Sequence, residues 1–317
     1  MTPAMGAEIE LIVQSLAAGL LTGALFGLLC AGLSLIFGTM RVINFAQGDF
    51  MMAGMYLAVT FSVLLSPLGQ AAPFLAAGLA GPVLFVAGAL LHRFLISRTT
   101  GMRAVGLSGD GHQAQLILTL GIALVLQNGA LILMGSSPQS IVSPLASRAW
   151  EIPLLYDQDS TLFLNQARTI GAVLSVLIAL GLFRLIRSTE LGRALRAASD
   201  SAEAATYMGI DVDRAHRIAF GAGAAVAGVA GGLIVLTTPV QPFVGTDFII
   251  IMYAGVVLGG IGSITGAFWG GMTIGLVQQL SSLVLPLQLQ NAMVFLVFLL
   301  ILLFRPQGLF GRSVERA

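Results

Sequence analysis

The chain is a succession of apolar runs, most of them long enough for a bilayer-spanning helix, separated by short polar islands. The first run extends from roughly Leu11 to Phe37. It is preceded by Glu8 and Glu10 but by no basic residue, and it is too long for the apolar stretch of a signal peptide, so it predicts a retained membrane helix. Further spans are predicted near 45–66, 74–95, 115–135, 168–186, 217–237, 248–262, 264–285 and 291–304, two of them short. The expected fold is all-α and integral to the membrane, one transmembrane unit over 1–317 with about nine crossings.

Two islands interrupt apolar runs without room for a proper loop. The segment Arg41-Val42-Ile43-Asn44-Phe45-Ala46-Gln47-Gly48-Asp49-Phe50 sets polar side chains and a glycine between the first two spans. Leu258-Gly259-Gly260-Ile261-Gly262-Ser263-Ile264-Thr265-Gly266 is too glycine-rich to continue a straight helix. A break at some depth in the membrane is expected at both, where non-helical backbone is tolerated only against protein or a water-filled cavity. Interrupted segments in opposite halves point to a translocation path in transporters built from inverted repeats. Asn44, Gln47, Gly48, Asp49, Gly260, Gly262 and Ser263 are therefore the candidate pathway residues. Plainer roles stand beside that one: Asp49 as a helix-start carboxylate favoured by the helix dipole, Asn44 and Gln47 as partners for freed backbone groups. Gln127 with Asn128, and Gln278 with Gln279, place further amides in apolar runs, where they usually bond between helices.

A third island, Glu190 to Gly209, bears arginines and is polar enough to touch something in water. Within it Asp200 has the character of an N-cap, Glu203 that of the third helical residue reaching back, and Gly209 that of a left-handed stop, which together predict a helix of about two turns. Elsewhere glycine sets packing. Gly19, Gly23, Gly27 and Ala31 recur every four residues, as do Gly262, Gly266 and Gly270, and the pairs Gly228 with Gly232, Gly255 with Gly259 and Gly271 with Gly275 repeat the spacing. Such stripes let neighbouring helix backbones approach closely in both halves of the chain.

Composition narrows the function. Hydrophobic residues make up 57% and charged ones 9%, so no soluble core of ordinary proportions hides the apolar surface. All 15 basic residues are arginine and the net charge is +1, which offers nucleic acid no general attraction and rules out a P-loop lysine. Cys30 is the only cysteine and reads as helix packing, while His92, His112 and His216 lack metal-ligand spacing and read as loop or interface residues. No cofactor is expected on this chain. Arginine also sets orientation, since short cytoplasmic loops favour it. Arg93, Arg98 and Arg103 mark one loop, Arg184, Arg187, Arg193, Arg196, Arg214 and Arg217 a second, which spans 187–216 with an arginine on either flank, and Arg305, Arg312 and Arg316 the C-terminus. Nine crossings with the N-terminus outside put all three clusters, and Arg41, in the cytoplasm. The loop 136–167 then faces outside, with Pro138, Pro144 and Pro153 against a long helix and Trp150 and Tyr156 suited to the interface; it is either a landing site for an external partner or a plain connection.

Three separated motifs resemble one known family. Gly32-Leu33-Ser34-Leu35-Ile36-Phe37-Gly38 with Val42-Ile43-Asn44-Phe45-Ala46-Gln47-Gly48-Asp49, then Gly192-Arg193-Ala194-Leu195-Arg196-Ala197 with Met208-Gly209-Ile210, then Gly259-Gly260-Ile261-Gly262-Ser263 are similar to the shorter permease subunit of branched-chain amino acid ABC importers. The likeness covers roughly residues 16 to 310 and is specific for the family, less so for the solute, since relatives carry amides, urea, aromatic or dicarboxylic compounds. It implies a second and different permease chain, two cytoplasmic ATPases that hold ATP and magnesium, a periplasmic solute-binding protein, and residence in the bacterial inner membrane among lipid. Glu203-Ala204-Ala205 followed by Gly209 is similar to the EAA element that docks on the ATPase, so the resemblance assigns coupling to Asp200, Glu203, Ala204, Ala205, Met208 and Gly209, with Arg193 and Arg196 contacting acidic ATPase residues, lipid phosphates or nothing beyond the positive-inside bias. Ile218-Ala219-Phe220 stands where one class of EAA elements has Ile-x-Leu-Pro, which leaves a fold similar to the importer class with ten-helix subunits and a half-to-half inverted repeat, one N-terminal helix short.

The rival is a secondary transporter or channel for a small polar solute without ATPase partners. It would normally carry an ionisable coupling residue well inside a span, and only Asp49 offers one. A membrane enzyme would need a nucleophile with its base or a metal cluster, which scattered histidines and a single cysteine do not provide. A purely structural subunit would leave the polar helix and the broken spans unexplained.

Overall fold

A computed structural model describes residues 3–98, 111–153, 161–286, 289–305 and 308–309, with side chains from Glu8 in the first helix and from Gln113 in the fourth. Arg103, Arg312, Arg316, Tyr156 and the side chain of His112 lie outside the described residues. Among those described, the chain forms twelve α-helices and one two-stranded sheet. The helices are α1 (Pro3–Met40), α2 (Gln47–Leu64), α3 (Ala72–Phe94), α4 (Gly111–Met134), α5 (Pro144–Ser147), α6 (Gln166–Ser188), α7 (Glu190–Asp200), α8 (Ala202–Tyr207), α9 (Val212–Ile234), α10 (Val244–Gly259), α11 (Ile264–Ser281) and α12 (Gln290–Phe304). Five helical stretches are long and apolar enough to cross a membrane by themselves, so this is a membrane protein.

The glycine stripes set the packing. A Cβ on Gly23 would lie 2.6 Å from the Met272 carbonyl oxygen, and one on Gly27 would lie 2.7 Å from that of Phe268, so α1 and α11 run antiparallel with their backbones touching. Gly266 and Gly270 face Gly259 and Gly255 in the same way, which joins α11 to α10. On the other side α9 is wedged between α3 and α1: Gly221 meets Phe85, Gly228 meets Leu84, and Gly223 meets Ile36. These contacts bury one continuous apolar core over α1, α2, α9, α10 and α11. The fourth helix stays peripheral, its apolar window 17% buried against 78% for α1.

Helix ends follow local chemistry rather than the apolar runs. Asp211 accepts from Arg214 N at 2.9 Å, so α9 starts at Val212, ahead of the predicted 217, carrying its arginines past the apolar run. The loop 136–167 is more structured than a prolyl connection. Ser143 caps α5 with Pro144 at its first position, and β1 (Ala149–Pro153) pairs antiparallel with β2 (Thr161–Asn165), setting Trp150 opposite Leu164. Gln14 of α1 fastens this hairpin by bonding both backbone groups of Phe163, at 2.6 and 3.0 Å.

Candidate functional site

At the end of the bundle where α1 stops, α6 hands over to two short amphipathic helices. Thr189 caps α7 by accepting from Gly192 N at 3.1 Å, and Leu195 and Ala198 bury against Ala215 and Ala219 of α9 in a small separate core. Asp200 is the last residue of α7, not an N-cap. Ser201 takes that place, accepting from Ala204 N at 3.2 Å, because α7 extends one residue further than its sequence suggests and leaves the next hydroxyl at the helix start. Glu203 consequently sits at the second helical position and accepts from the Tyr207 hydroxyl at 3.1 Å instead of reaching back. The stop is as predicted: Gly209 has φ +79°, its N–H donates to Thr206 O, and Ile210 N donates to Ala205 O, a Schellman closure.

This geometry sorts the residues to which the resemblance assigns coupling. Ala205 faces inward and is buried, whereas Glu203, Ala204, Tyr207 and Met208 point outward, the last two each 81% exposed. Arg196 donates to the Ile186 carbonyl at the end of α6 and Arg193 pairs with Glu190 at 3.5 Å, so both arginines have partners within the chain. An exposed pair of the Arg193 kind contributes little stability. A residue that the sequence did not single out, Ser199, donates its hydroxyl to the Gly38 carbonyl and accepts at its own carbonyl from Arg41 Nη2 at 3.5 Å. The α7 end is thereby tied to the last turn of α1 and to the start of the first break.

That break is real. Arg41 has φ +54°, unusual for a side-chain-bearing residue, and residues 41–44 leave the helix before α2 begins at Gln47. Asn44 and Gln47 are fully buried and hold the turn: Asn44 Oδ1 accepts from Ala46 N at 3.1 Å, Asn44 Nδ2 donates to Gln47 Oε1 at 3.1 Å, and Gln47 Nε2 donates to Gly223 O on α9 at 3.0 Å. Removing the Asn44 amide leaves buried groups unpaired, and Asn44→Ala is expected to lower stability by about 1–3 kcal/mol, read as thermal aggregation in detergent. The next turn meets α10 head to head. Gly48 and Gly245, each in the first turn of its helix, touch backbone to backbone, and Asp49 Oδ1 lies where a Gly245 Cβ would stand, 2.9 Å away. The same Oδ1 accepts from Gln127 Nε2 of α4 at 2.9 Å.

The second break also falls where the sequence places it, between Gly259 and Ile264. Gly260 (φ +101°) and Gly262 (φ +84°) form a tight turn between antiparallel α10 and α11, and Ser263 caps α11 by accepting from Gly266 N at 3.1 Å. The turn lies beside Gly38 in the last turn of α1, and Ile261 is 56% exposed. The interruption inside the second half comes earlier, over 235–243, where Val240 is fully buried and bridges to Gln139 before α10 starts at the Gly48 contact.

The profile of the family described as "Branched-chain amino acid transport system / permease component" matches residues 15–304. The chain belongs to this family. It is 29% identical over 316 residues to the high-affinity branched-chain amino acid transport system permease protein LivH of Escherichia coli (strain K12), covering 98% of this chain and 100% of that one. It is 29% identical to the corresponding protein BraD of Pseudomonas aeruginosa over 314 residues, 98% and 99% of the two chains. The probable permease LivH of Methanocaldococcus jannaschii is 31% identical over 261 residues, 80% of this chain and 76% of its own. No solved structure matches the chain significantly. As a permease component of a transport system it is a transport subunit, not a catalyst.

The head-to-head junction of this permease had a sequence signal that spacing rules alone overlook. Phe45-Ala46-Gln47-Gly48-Asp49-Phe50 opens α2, and Phe243-Val244-Gly245-Thr246-Asp247-Phe248 opens α10, sharing the pattern Phe-x-x-x-Asp-Phe. The two copies pack reciprocally. Phe50 meets Phe220 of α9 edge-on at 5.8 Å, and Phe248 meets Phe26 of α1 edge-on at 5.9 Å. They differ in burial: Asp49 is 2% exposed, whereas Asp247 and Thr246 lie open on the surface. Elsewhere His92 and His216, distant in sequence, meet edge-on with ring centroids 6.4 Å apart between α3 and α9 and are both buried. At the opposite end a cleft of about 580 Å³ is lined by Ser62, Ser66, Gln70, Ser140 and Ser143 beside the structured loop.

Proposed function

We propose that this chain is one permease subunit of an ATP-driven importer of branched-chain amino acids, paired with a second, different permease chain. Two cytoplasmic ATPases, which bind ATP and magnesium, drive it from below, and a periplasmic binding protein delivers the solute from outside. The chain resides in the bacterial cytoplasmic membrane with nine crossings, its N-terminus outside and its C-terminus inside. Ten of its twelve described arginines support that orientation: they gather at the end bearing α7 and α8, while Arg148 and Arg168 lie at the hairpin end. The α1–α2 and α9–α10 pairs are read as inverted repeats, supported by the reciprocal Phe-x-x-x-Asp-Phe packing.

One observation carries the coupling reading: α8 is closed at both ends by its own chemistry yet presents Glu203, Tyr207 and Met208 to solvent. A helix stabilised so locally, with apolar side chains exposed, suits the groove of a partner. Its motion would pass through Ser199 to Gly38 and Arg41, and so to the first break and α2. Ser199→Ala is accordingly expected to lower uptake several-fold with membrane abundance unchanged, and unaltered uptake would cut this link. An ATPase can shift the permease only by binding its conformations unequally.

The pathway is assigned to the α2–α10 junction, with Asn44, Gln47, Gly48 and Asp49 on one side and the open first turn of α10 on the other. Cysteines at Asn44 and Gln47 are expected to be inert to small aqueous thiol reagents in the conformation described, with Thr246→Cys reactive. If the two amides line the path they react in at least one other transport state, and inertness in every state leaves them purely structural. The overall reading is tested by co-purifying the chain with its partners and titrating leucine, urea and short amides into the soluble binding protein by calorimetry. Selective binding of a branched-chain amino acid supports it, and another selective solute replaces the cargo alone. A chain that purifies without any ATPase returns the secondary-transporter reading.

A further inference from the structure

Asp49 is the only acidic side chain buried among the described residues, and the one ion pair among them, Arg193 with Glu190, lies elsewhere on the surface. Its carboxylate is held by a neutral amide, Gln127, at 2.9 Å. A carboxylate inside a membrane bundle without a cation is costly and marks a functional position. Helix dipole alone accounts for it poorly, since α10 begins beside it with the corresponding Asp247 exposed on the surface of the chain.

Two further features surround this carboxylate. Of the five long apolar spans, the one that supplies Gln127 is the least buried, so the amide is donated by an element with few contacts to the bundle. On the same face of α2, seven residues on, Tyr56 is 4% exposed and its hydroxyl has no partner. Buried polar atoms are rarely left unsatisfied without a reason, and an unused donor together with an unneutralised acceptor along one helix face suits a polar, cationic visitor.

We propose that Asp49 is the group that receives the cargo's ammonium during transit, with Gln127 occupying its place between transport events. This deepens the importer reading and rests on it. An amino acid differs from a neutral amide or an acid of the same shape by that ammonium, so Asp49 selects for it where the apolar lining selects only for size. Its counterpart, Asp247, lies at the equivalent position of α10 and is exposed on the surface of the chain.

The test uses the complete complex, permease pair, ATPases and binding protein, in proteoliposomes with leucine as the first solute. Asp49→Asn keeps the shape and the acceptor for Gln127 and removes only the charge, whereas Gln127→Ala removes the hydrogen bond and keeps the charge. The expected result is a fall in leucine uptake of at least fivefold for Asp49→Asn, with assembly and binding-protein-stimulated ATP hydrolysis retained, and a distinctly smaller fall for Gln127→Ala, which keeps the carboxylate. A smaller fall for Asp49→Asn, equal losses in both variants, or failure of Asp49→Asn to assemble overturns the proposal, because the carboxylate is then structural or protonated. Those outcomes leave the importer reading standing, since the parent complex still carries leucine. A parent complex that imports only solutes lacking a cationic nitrogen overturns both, and does so before any variant is compared.

Discussion

Gly209→Pro is expected to abolish coupled uptake, by at least about tenfold, while the protein still accumulates in the membrane and any basal ATP hydrolysis of the partners continues. Two physical requirements meet at this residue. Its φ is +79°, whereas proline is fixed near about −65°, so the chain cannot turn left-handed there. Its N–H donates to Thr206 O, and proline has no such donor. Losing both dissolves the Schellman closure that ends α8 and redirects residues 209–211 leading into α9, whose cap Asp211 lies two residues on. The core over α1, α9 and α11 is remote from this turn, which is why insertion is expected to survive. Nothing lies within 4 Å of an added Cβ at Gly209, so Gly209→Ala isolates the backbone effect: it keeps the donor, suffers only the left-handed penalty of about 1–2 kcal/mol, and is expected to retain most uptake. Glu203→Arg, on the exposed face, should uncouple as well if α8 docks. Normal leucine uptake in both Gly209→Pro and Glu203→Arg would remove α8 from the mechanism.

Much of the fold was legible because membrane helices announce themselves by length and apolarity. Each predicted span has its helix, and the breaks at Arg41 and at Gly260 fall where glycine and polar residues crowd. What escaped was decided by contacts rather than by composition. The hairpin of β1 and β2 depends on Gln14, which is about 150 residues away and whose amide completes the strand edge. Ser201 displaced Asp200 as the cap because a helix boundary shifted by one residue, a difference that local propensity does not resolve. Glycine richness reports backbone freedom and close approach alike, so it does not say which of the two a given break uses. Gly260 and Gly262 use the first for an end turn, whereas Gly48 and Gly245 use the second. The repeated Phe-x-x-x-Asp-Phe was present in the sequence, yet only the contact between its copies gives the repetition meaning. Asn44 and Gln47 show the same limit: their polarity was evident, but their full burial and their bonds to Ala46 and Gly223 place them in the fastening of the break.

Gly23→Val is expected to be the most damaging single change to the bundle itself, lowering the stability of the purified chain by about 3 kcal/mol or more and depleting it from the membrane. In a bilayer, helices gain nothing from hiding apolar surface from lipid, so association depends on close packing, and a stripe of glycines is what permits it. A Cβ at Gly23 would stand 2.6 Å from the Met272 carbonyl oxygen and 2.9 Å from its Cα, backbone atoms that no rotamer change can move aside. Across the seam Gly275 faces the backbone of Gly23, so α11 cannot slide toward that side either. Relief requires α1 and α11 to separate, which would open the helix pair that joins the two halves of the chain and disturb the neighbouring α10–α11 crossing at Gly255 and Gly270. The contrast is Gly181 on α6, where nothing lies within 4 Å of an added Cβ, and Gly181→Val should change thermal stability by no more than about 0.5 kcal/mol. Melting of both variants in detergent decides the matter. Equal stabilities would mean that the seam is held by something other than glycine contact, and a loss confined to Gly23→Val identifies the glycine contact of α1 with α11 as what holds the bundle together.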